Sequence, residues 1–212
     1  MLNKNLTDYS VFGFAKFEMN ETATTEKILA ASLQWQRSFL APIEGVGFHS
    51  LLSNMKGGFA DIIFFENQSA FDQMHEQYSE ADSSRALLSL INPESIVLRS
   101  GKILQNGFQP PEKFGCIEVG FMTVENKKLI GQRQVLSQSE RMESAYLSQT
   151  SNTLSHVIGQ TSEVDFCEIT FGHSLAETRE VCFGYLKNDQ CLGFLQLFDE
   201  KHSEFDFWVP VA

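Results

Sequence analysis

A chain of 212 residues is long enough for one large domain or two of about 100 residues each. Its 42% hydrophobic and 20% charged residues are the balance of a folded protein with a sizeable core, which excludes a disordered chain. The net charge of −11 is spread over both halves, with 8 basic against 12 acidic residues in 1–104 and 8 against 15 in 105–212. That excludes the basic face a nucleic-acid binder needs and disfavours an anionic membrane surface as partner.

The N-terminus, MLNKNLTDYS, has no apolar core of signal-peptide type, and no run approaches the roughly 20 apolar residues of a membrane span. The expectation is a cytoplasmic protein. Cys116, Cys167, Cys182 and Cys191 form no CxxC pair, so they read as buried free thiols and not as zinc or redox ligands. Nineteen Phe residues point to a thick aromatic interior or a ring-lined cavity.

After a lead-in over Leu2–Tyr9, alternating Val11–Glu18 reads as a strand. Polar Asn20–Thr24 supplies turn and capping residues, and a helix follows from about Thr25 to Leu40, stopped by Pro42 and Gly45. Val46–Ser53 and Phe59–Phe65 are strands joined by a hairpin loop around Gly57 and Gly58. A second helix begins near Ala70, with Phe71, Met74, His75 and Tyr78 at helical spacing, and helical character continues over Ser79–Asn92. Ile96–Leu98 closes the unit. Pro110-Pro111 marks the linker, since two prolines continue neither a helix nor a central strand.

The order then returns, with strands at Phe114–Val124, Thr153–Gly159, Val164–Phe171 and Phe205–Val211. Helices fall at about Leu129–Leu147 and Leu175–Leu186, the latter extended through Leu192–Phe198. An offset of 106 carries Val11 to Ile117, Leu51 to Val157 and Phe65 to Phe171. The fold class is therefore α+β, as two ferredoxin-like β-α-β-β-α-β repeats forming a pseudo-dimeric α+β barrel. Repeat 1 is placed at 1–104, the linker at 105–113 and repeat 2 at 114–212.

The stretches FLAPIEGVGFHSLL (Phe39–Leu52) and FADIIFFENQSAFDQMH (Phe59–His75) resemble the dimeric α+β barrel superfamily, in its antibiotic-biosynthesis-monooxygenase-like branch and in a single-chain, tandem form. The resemblance implies a small-molecule protein: a cofactor-independent monooxygenase or isomerase acting on an aromatic or enolisable substrate. The alternatives within it are a non-catalytic binding or stress-related barrel and, more weakly, a haem binder. Haem degradation would imply an Asn on the first strand with a Trp and a His on the second helix. This chain offers only His75 there, with Lys16 on the strand.

Polar residues on buried strands carry the chemistry. Glu118, His156 and Glu168 lie on the first three strands of the second half and could converge as candidate catalytic groups, with His156 as general base between carboxylates. Mutual satisfaction of the three groups is the plainer reading. Lys16, Ser50 and Thr170 are the candidate ligand-pocket residues, and the face carrying Glu168 and Thr170 is expected to point into the barrel, with Cys167, Ile169 and Phe171 toward the helices. Under the 106 offset His49 falls on Ser155 and not on His156, so the two histidines do not match. No metal site is expected, no cofactor is assigned, and His75 is the only weak cofactor ligand. The expected partner is a small apolar or aromatic molecule, with no nucleic acid and no membrane; the pseudo-dimer lies within one chain and homo-oligomerisation is left open.

Overall fold

Asn54 anchors a hairpin turn through its side chain. Its Oδ1 accepts from the Lys56 and Gly58 N–H groups, and Gly57 takes φ +85° at the tip, where a side chain would be strained. The turn joins two strands of the computed structural model, β2 (Val46–Asn54) and β3 (Phe59–Phe65), and β3 pairs antiparallel on its other edge with β1 (Val11–Phe17). The structure describes residues 8–125 and 130–212, together with Leu2 and Leu6. Most of the sequence's lead-in and the first residue of its second-half helix, Leu129, lie outside the described residues.

Two units divide the chain: residues 1–100 with 106–108 and 210–212, and residues 101–105 with 109–209. The first holds β1, α1 (Thr25–Trp35), β2, β3, α2 (Gln68–Gln77), α3 (Asp82–Leu88) and most of β4 (Val97–Ile103). The second holds β5 (Cys116–Thr123), α4 (Gln132–Ala145), β6 (Thr153–Gln160), β7 (Asp165–Gly172), α5 (Leu175–Gly184), α6 (Asp189–Leu195) and most of β8 (Glu204–Pro210). The ends of β4 and β8 change sides: Lys102 and Ile103 pair with Gln160 and Gly159, while Ala212 accepts from the Leu51 N–H. The eight strands hydrogen-bond in the order β1-β3-β2-β8-β5-β7-β6-β4, a closed barrel, and the class is α+β.

Side-chain caps start the helices where the sequence supplies them. Thr24 accepts from Lys27 N–H, Asn67 from Ala70 N–H and Ser174 from Glu177 N–H. Ser174 Oγ also donates to Glu177 Oε2, an S-x-x-E pair that fixes the start of α5. The expected helix over Thr25–Leu40 is α-helical only to Trp35; Gln36–Leu40 is a π-helical turn. No helix among the described residues is long and apolar enough to cross a membrane.

In each unit one sheet face packs under helices. Unit 1 buries Val11, Val46, Leu51, Ile63 and Phe65 with Ile28, Trp35 and Leu40 of the first helical segment. Unit 2 buries Met122, Ile158 and Phe166 with Val135, Met142, Cys182 and Phe194. Alternation along the strands then fixes what else shares those faces.

The spacing between equivalent elements is 107 for most of the chain. Helix caps Asn67 and Ser174, the bulges at Val46/Phe48 and Thr153/Ser155, and the 3₁₀ turns starting at Tyr78 and Tyr185 all agree with 156 − 49 = 107. The first strands differ: Val11 pairs with Phe65 as Cys116 pairs with Gly172, a spacing of 105. Two extra residues between β5 and α4 account for the change. The single offset of 106 therefore falls between the two real ones and pairs no strand correctly, because a one-residue slip turns every side chain to the other face.

Candidate functional site

Register brings the polar residues of unit 2 together. Glu118 on β5 lies directly across from Thr170 on β7, which lies directly across from His156 on β6. The next row is Gly120, Glu168 and Ile158. All six side-chain positions share the face that carries Met122 and Phe166, which packs against α4, α5 and α6. This reverses the expectation that Glu168 and Thr170 point into the barrel. Cys167, Ile169 and Phe171 occupy the other face, and the polar residues sit under the helices.

The cluster is dry. Glu118, His156 and Glu168 are 4%, 5% and 3% exposed. His156 Nε2 lies 3.1 Å from Glu168 Oε1, and the Tyr185 hydroxyl, just beyond α5, donates to the same oxygen at 3.2 Å. On its other side, His156 Nδ1 lies 3.6 Å from Glu143 Oε2 of α4, an ion-pair distance outside hydrogen-bond range. Glu118 Oε2, Thr170 Oγ1 and His156 Nδ1 are buried without a hydrogen-bond partner. Thr170 Oγ1 faces both Glu118 and Tyr185 closely enough to favour their ionised forms without completing a bond of ordinary geometry. Gly120 keeps room for the acid: a Cβ there would stand 3.1 Å from Glu118 Oε1.

Burial decides most of the charge states. Burial first, and the charge of Glu168 second, raise the Glu118 carboxyl well above the usual carboxylate range, which favours its neutral form. Burial would pull the His156 imidazole down, but the hydrogen bond to Glu168 and the charges of Glu168 and Glu143 outweigh it and push it up to about 9. Burial, reinforced by Glu168, raises the Tyr185 phenol, so it remains a donor. The four cysteines are free and buried, and burial raises each thiol, which keeps them unreactive. Among the described residues no group of three or more His, Cys, Asp or Glu side chains could hold a metal ion.

The sequence's trio of Glu118, His156 and Glu168 thus meets in one place, with Thr170 between them. Two candidate pocket residues do not join it. Lys16 pairs with Ala60 and Ser50 with Ile62, on the other sheet face of unit 1, where Ser50 Oγ donates to the Ala212 carbonyl. His75 is exposed on α2 and stacks on Phe71 at 6.1 Å. Sequence reasoning missed Glu143 and Tyr185. Under the spacing of 107 they fall on Gln36 and Tyr78 of the first unit.

Unit 1 has the corresponding cluster. His49 Nε2 lies 2.7 Å from Asp61 Oδ1, and its Nδ1 lies 3.0 Å from Gln36 Oε1 at the start of the π-helical turn. Trp35 meets the imidazole edge-on at 5.2 Å and Tyr78 meets Trp35 at 5.7 Å. His49 and His156 are therefore in phase, and the mismatch expected from the sequence is corrected by the true offset.

The fold is matched by solved structures across nearly the whole chain. A candidate monooxygenase from Lactobacillus acidophilus aligns over 96% of this chain and 95% of its own, with TM-score 0.66 and 12% identity. An anthrone oxidase-like protein aligns over 96% and 92%, with TM-score 0.59 and 13% identity. A haem-binding protein from Thermus thermophilus aligns over 96% and 90%, with TM-score 0.61 and 9% identity. What these structures share with the chain is the fold, an α+β barrel of eight strands. No protein-family model and no curated protein sequence matches the chain.

Proposed function

We propose that unit 2 holds a small-molecule site between its sheet and its helices, and that it serves a cofactor-independent oxygenase or isomerase acting on an aromatic or enolisable substrate. The observation that carries this reading is one buried cluster of two carboxyls, an imidazole and a phenol, with Glu118 Oε2 and Thr170 Oγ1 left without partners. Buried polar atoms that the protein does not satisfy are costly, and a ligand that satisfies them recovers that cost.

The roles follow from the charge states. His156, the base expected from the sequence, is charged at neutral pH and cannot accept a proton there. Glu168, which accepts from both His156 and Tyr185, is the group left to take a proton from an acidic C–H or phenolic O–H. The His156 imidazolium and the neutral Glu118 carboxyl then stabilise the substrate anion, in the way a protonated carboxyl and a phenol can serve an oxyanion. That anion is either reprotonated at another carbon, which is an isomerisation, or passes its electrons to dioxygen.

The architectural part of the reading rests on the caps, bulges and turns that recur 107 residues apart, which support two copies of one module in tandem. Resemblance to the Thermus haem-binding protein extends to fold, but a haem reading lacks its expected ligand, because His75 is exposed. A panel of phenols and β-dicarbonyls, with no metal or flavin added, tests the main reading by nuclear magnetic resonance and oxygen uptake. The expected outcome is saturable binding that moves the His156 and Tyr185 resonances, with turnover lost in Glu168→Gln. Turnover unchanged in that variant, or binding that leaves both resonances in place, would refute it.

A further inference from the structure

We propose that Glu143 is a further working residue of this site, a positioning residue that acts through His156: as the solvent-side counter-ion, it holds the imidazole charged so that the site meets its substrate with a cation instead of a base. The geometry is specific. Glu143 Oε2 stands 3.6 Å from Nδ1, which has no hydrogen-bond partner, while Nε2 is engaged by Glu168 at 3.1 Å. The imidazole is therefore flanked by a carboxylate on each side. The Glu143 side chain is 43% exposed and the His156 side chain 0%, so Glu143 alone of the pair reaches solvent. It reports the outside to a group that is otherwise sealed.

Unit 1 supplies the natural control. At the matching place stands Gln36, a neutral amide, whose Oε1 lies 3.0 Å from His49 Nδ1. An amide oxygen can orient the ring, as Gln36 does, but it carries no charge to keep a proton there. The two clusters retain His, an acid on the third strand and Tyr, and differ at this one helical position in charge. A carboxylate thus stands beside His156 where an amide stands beside His49.

Among the described residues, titratable groups of this cluster come from both the sheet and the helices. Glu168 from β7 and Glu118 from β5 share the sheet face, Glu143 comes from α4, and Cys182 and Tyr185 come from α5 and the turn after it. The raised imidazole, at about 9 with Glu143 and Glu168 as its causes, agrees with that assignment. Glu118, held toward its neutral form, adds no charge to this balance.

Nitrogen-15 titration of the histidine side chains reads the proposal directly and needs no substrate, so it succeeds or fails independently of the oxygenase or isomerase reading on which the role rests. Wild-type His156 should titrate well above the ordinary histidine range. Glu143→Gln, which copies the first unit's own residue onto an exposed helix position, should lower the midpoint by about one pH unit or more, since an opposite charge at this range is removed. The reverse variant, Gln36→Glu, should raise the His49 midpoint. A wild-type His156 midpoint below 7, or a Glu143→Gln variant that melts normally with the midpoint unmoved, would overturn the proposal. Should Glu143→Gln not fold, the wild-type midpoint and Gln36→Glu still decide it.

Discussion

Two clusters built on the same three strands and the same helix faces have gone different ways. In unit 1, His49 is hydrogen-bonded on both nitrogens, to Asp61 and Gln36, and is walled by Trp35. Gly13 and Phe65 stand where unit 2 has Glu118 and Gly172, and Phe71 packs edge-on against Phe65 at 5.4 Å. Around His49, unit 1 is closed by aromatic rings and by hydrogen bonds to both ring nitrogens. Unit 2 replaces the rings by Glu118, Gly172 and Thr178, and it leaves polar atoms unmet. Burying a second carboxyl beside Glu168 raises energy that packing alone would not demand. The comparison teaches that the same strand and helix arrangement can satisfy a buried histidine on both nitrogens in one unit and leave one nitrogen unmet in the other.

The strongest way to break the comparison is to remove the acid from each cluster. Glu168→Ala leaves the buried His156 charge with only the half-exposed Glu143, and loss of one member of a buried ion pair costs about 3–5 kcal/mol. Asp61→Ala removes a hydrogen bond from an imidazole that keeps Gln36, and should cost about 1–3 kcal/mol. Urea denaturation measures both. Equal losses would mean that the two clusters do the same work.

Next is the response to pH. A histidine whose folded value lies above its unfolded one contributes stability that is fully present below the unfolded value and is lost as pH rises through the folded value. For His156 that window runs from 6.5 to about 9, so stability should fall across it, by about 3 kcal/mol at most. Glu118, also raised, acts in the same direction starting from its unfolded value of 4.5. Denaturation at pH 6.5 and pH 9 checks the fall, and His156→Gln should flatten it. A stability that rises over this range would contradict the charge states assigned to unit 2.

The smallest effect sharpens the difference in packing. A Cβ at Gly172 would meet Thr178 Oγ1 and lie 2.6 Å from Asn152 Nδ2, where the first unit accommodates the whole ring of Phe65. Asn152 is buried; its Nδ2 donates to Thr178, and its Oδ1 accepts from the His173 and Ser174 N–H groups ahead of α5. Gly172→Ala should therefore cost about 1–3 kcal/mol by overpacking and should disturb the start of α5. A melting temperature unchanged from wild type would show that the polar network yields as easily as an apolar one.

The strand and helix order was legible in local patterns: Phe59–Phe65 runs from end to end as read, and Thr24, within the polar stretch read as turn and capping residues, caps α1. That Glu118, His156 and Glu168 meet was legible too, because polar residues on buried strands have few other uses. Which face they occupy was not. Two added residues between β5 and α4 shift one strand against the others, and with a period of two the wrong parity sends every side chain to the opposite side. Nor could the sequence find Tyr185 and Glu143, whose place beside Glu168 and His156 depends on how α4, α5 and the turn after α5 lie on the sheet. Amino-acid order determined the elements and their chemistry. Tertiary packing decided where those groups meet and which of them carry charge, because burial, not residue type, sets the cost of each proton.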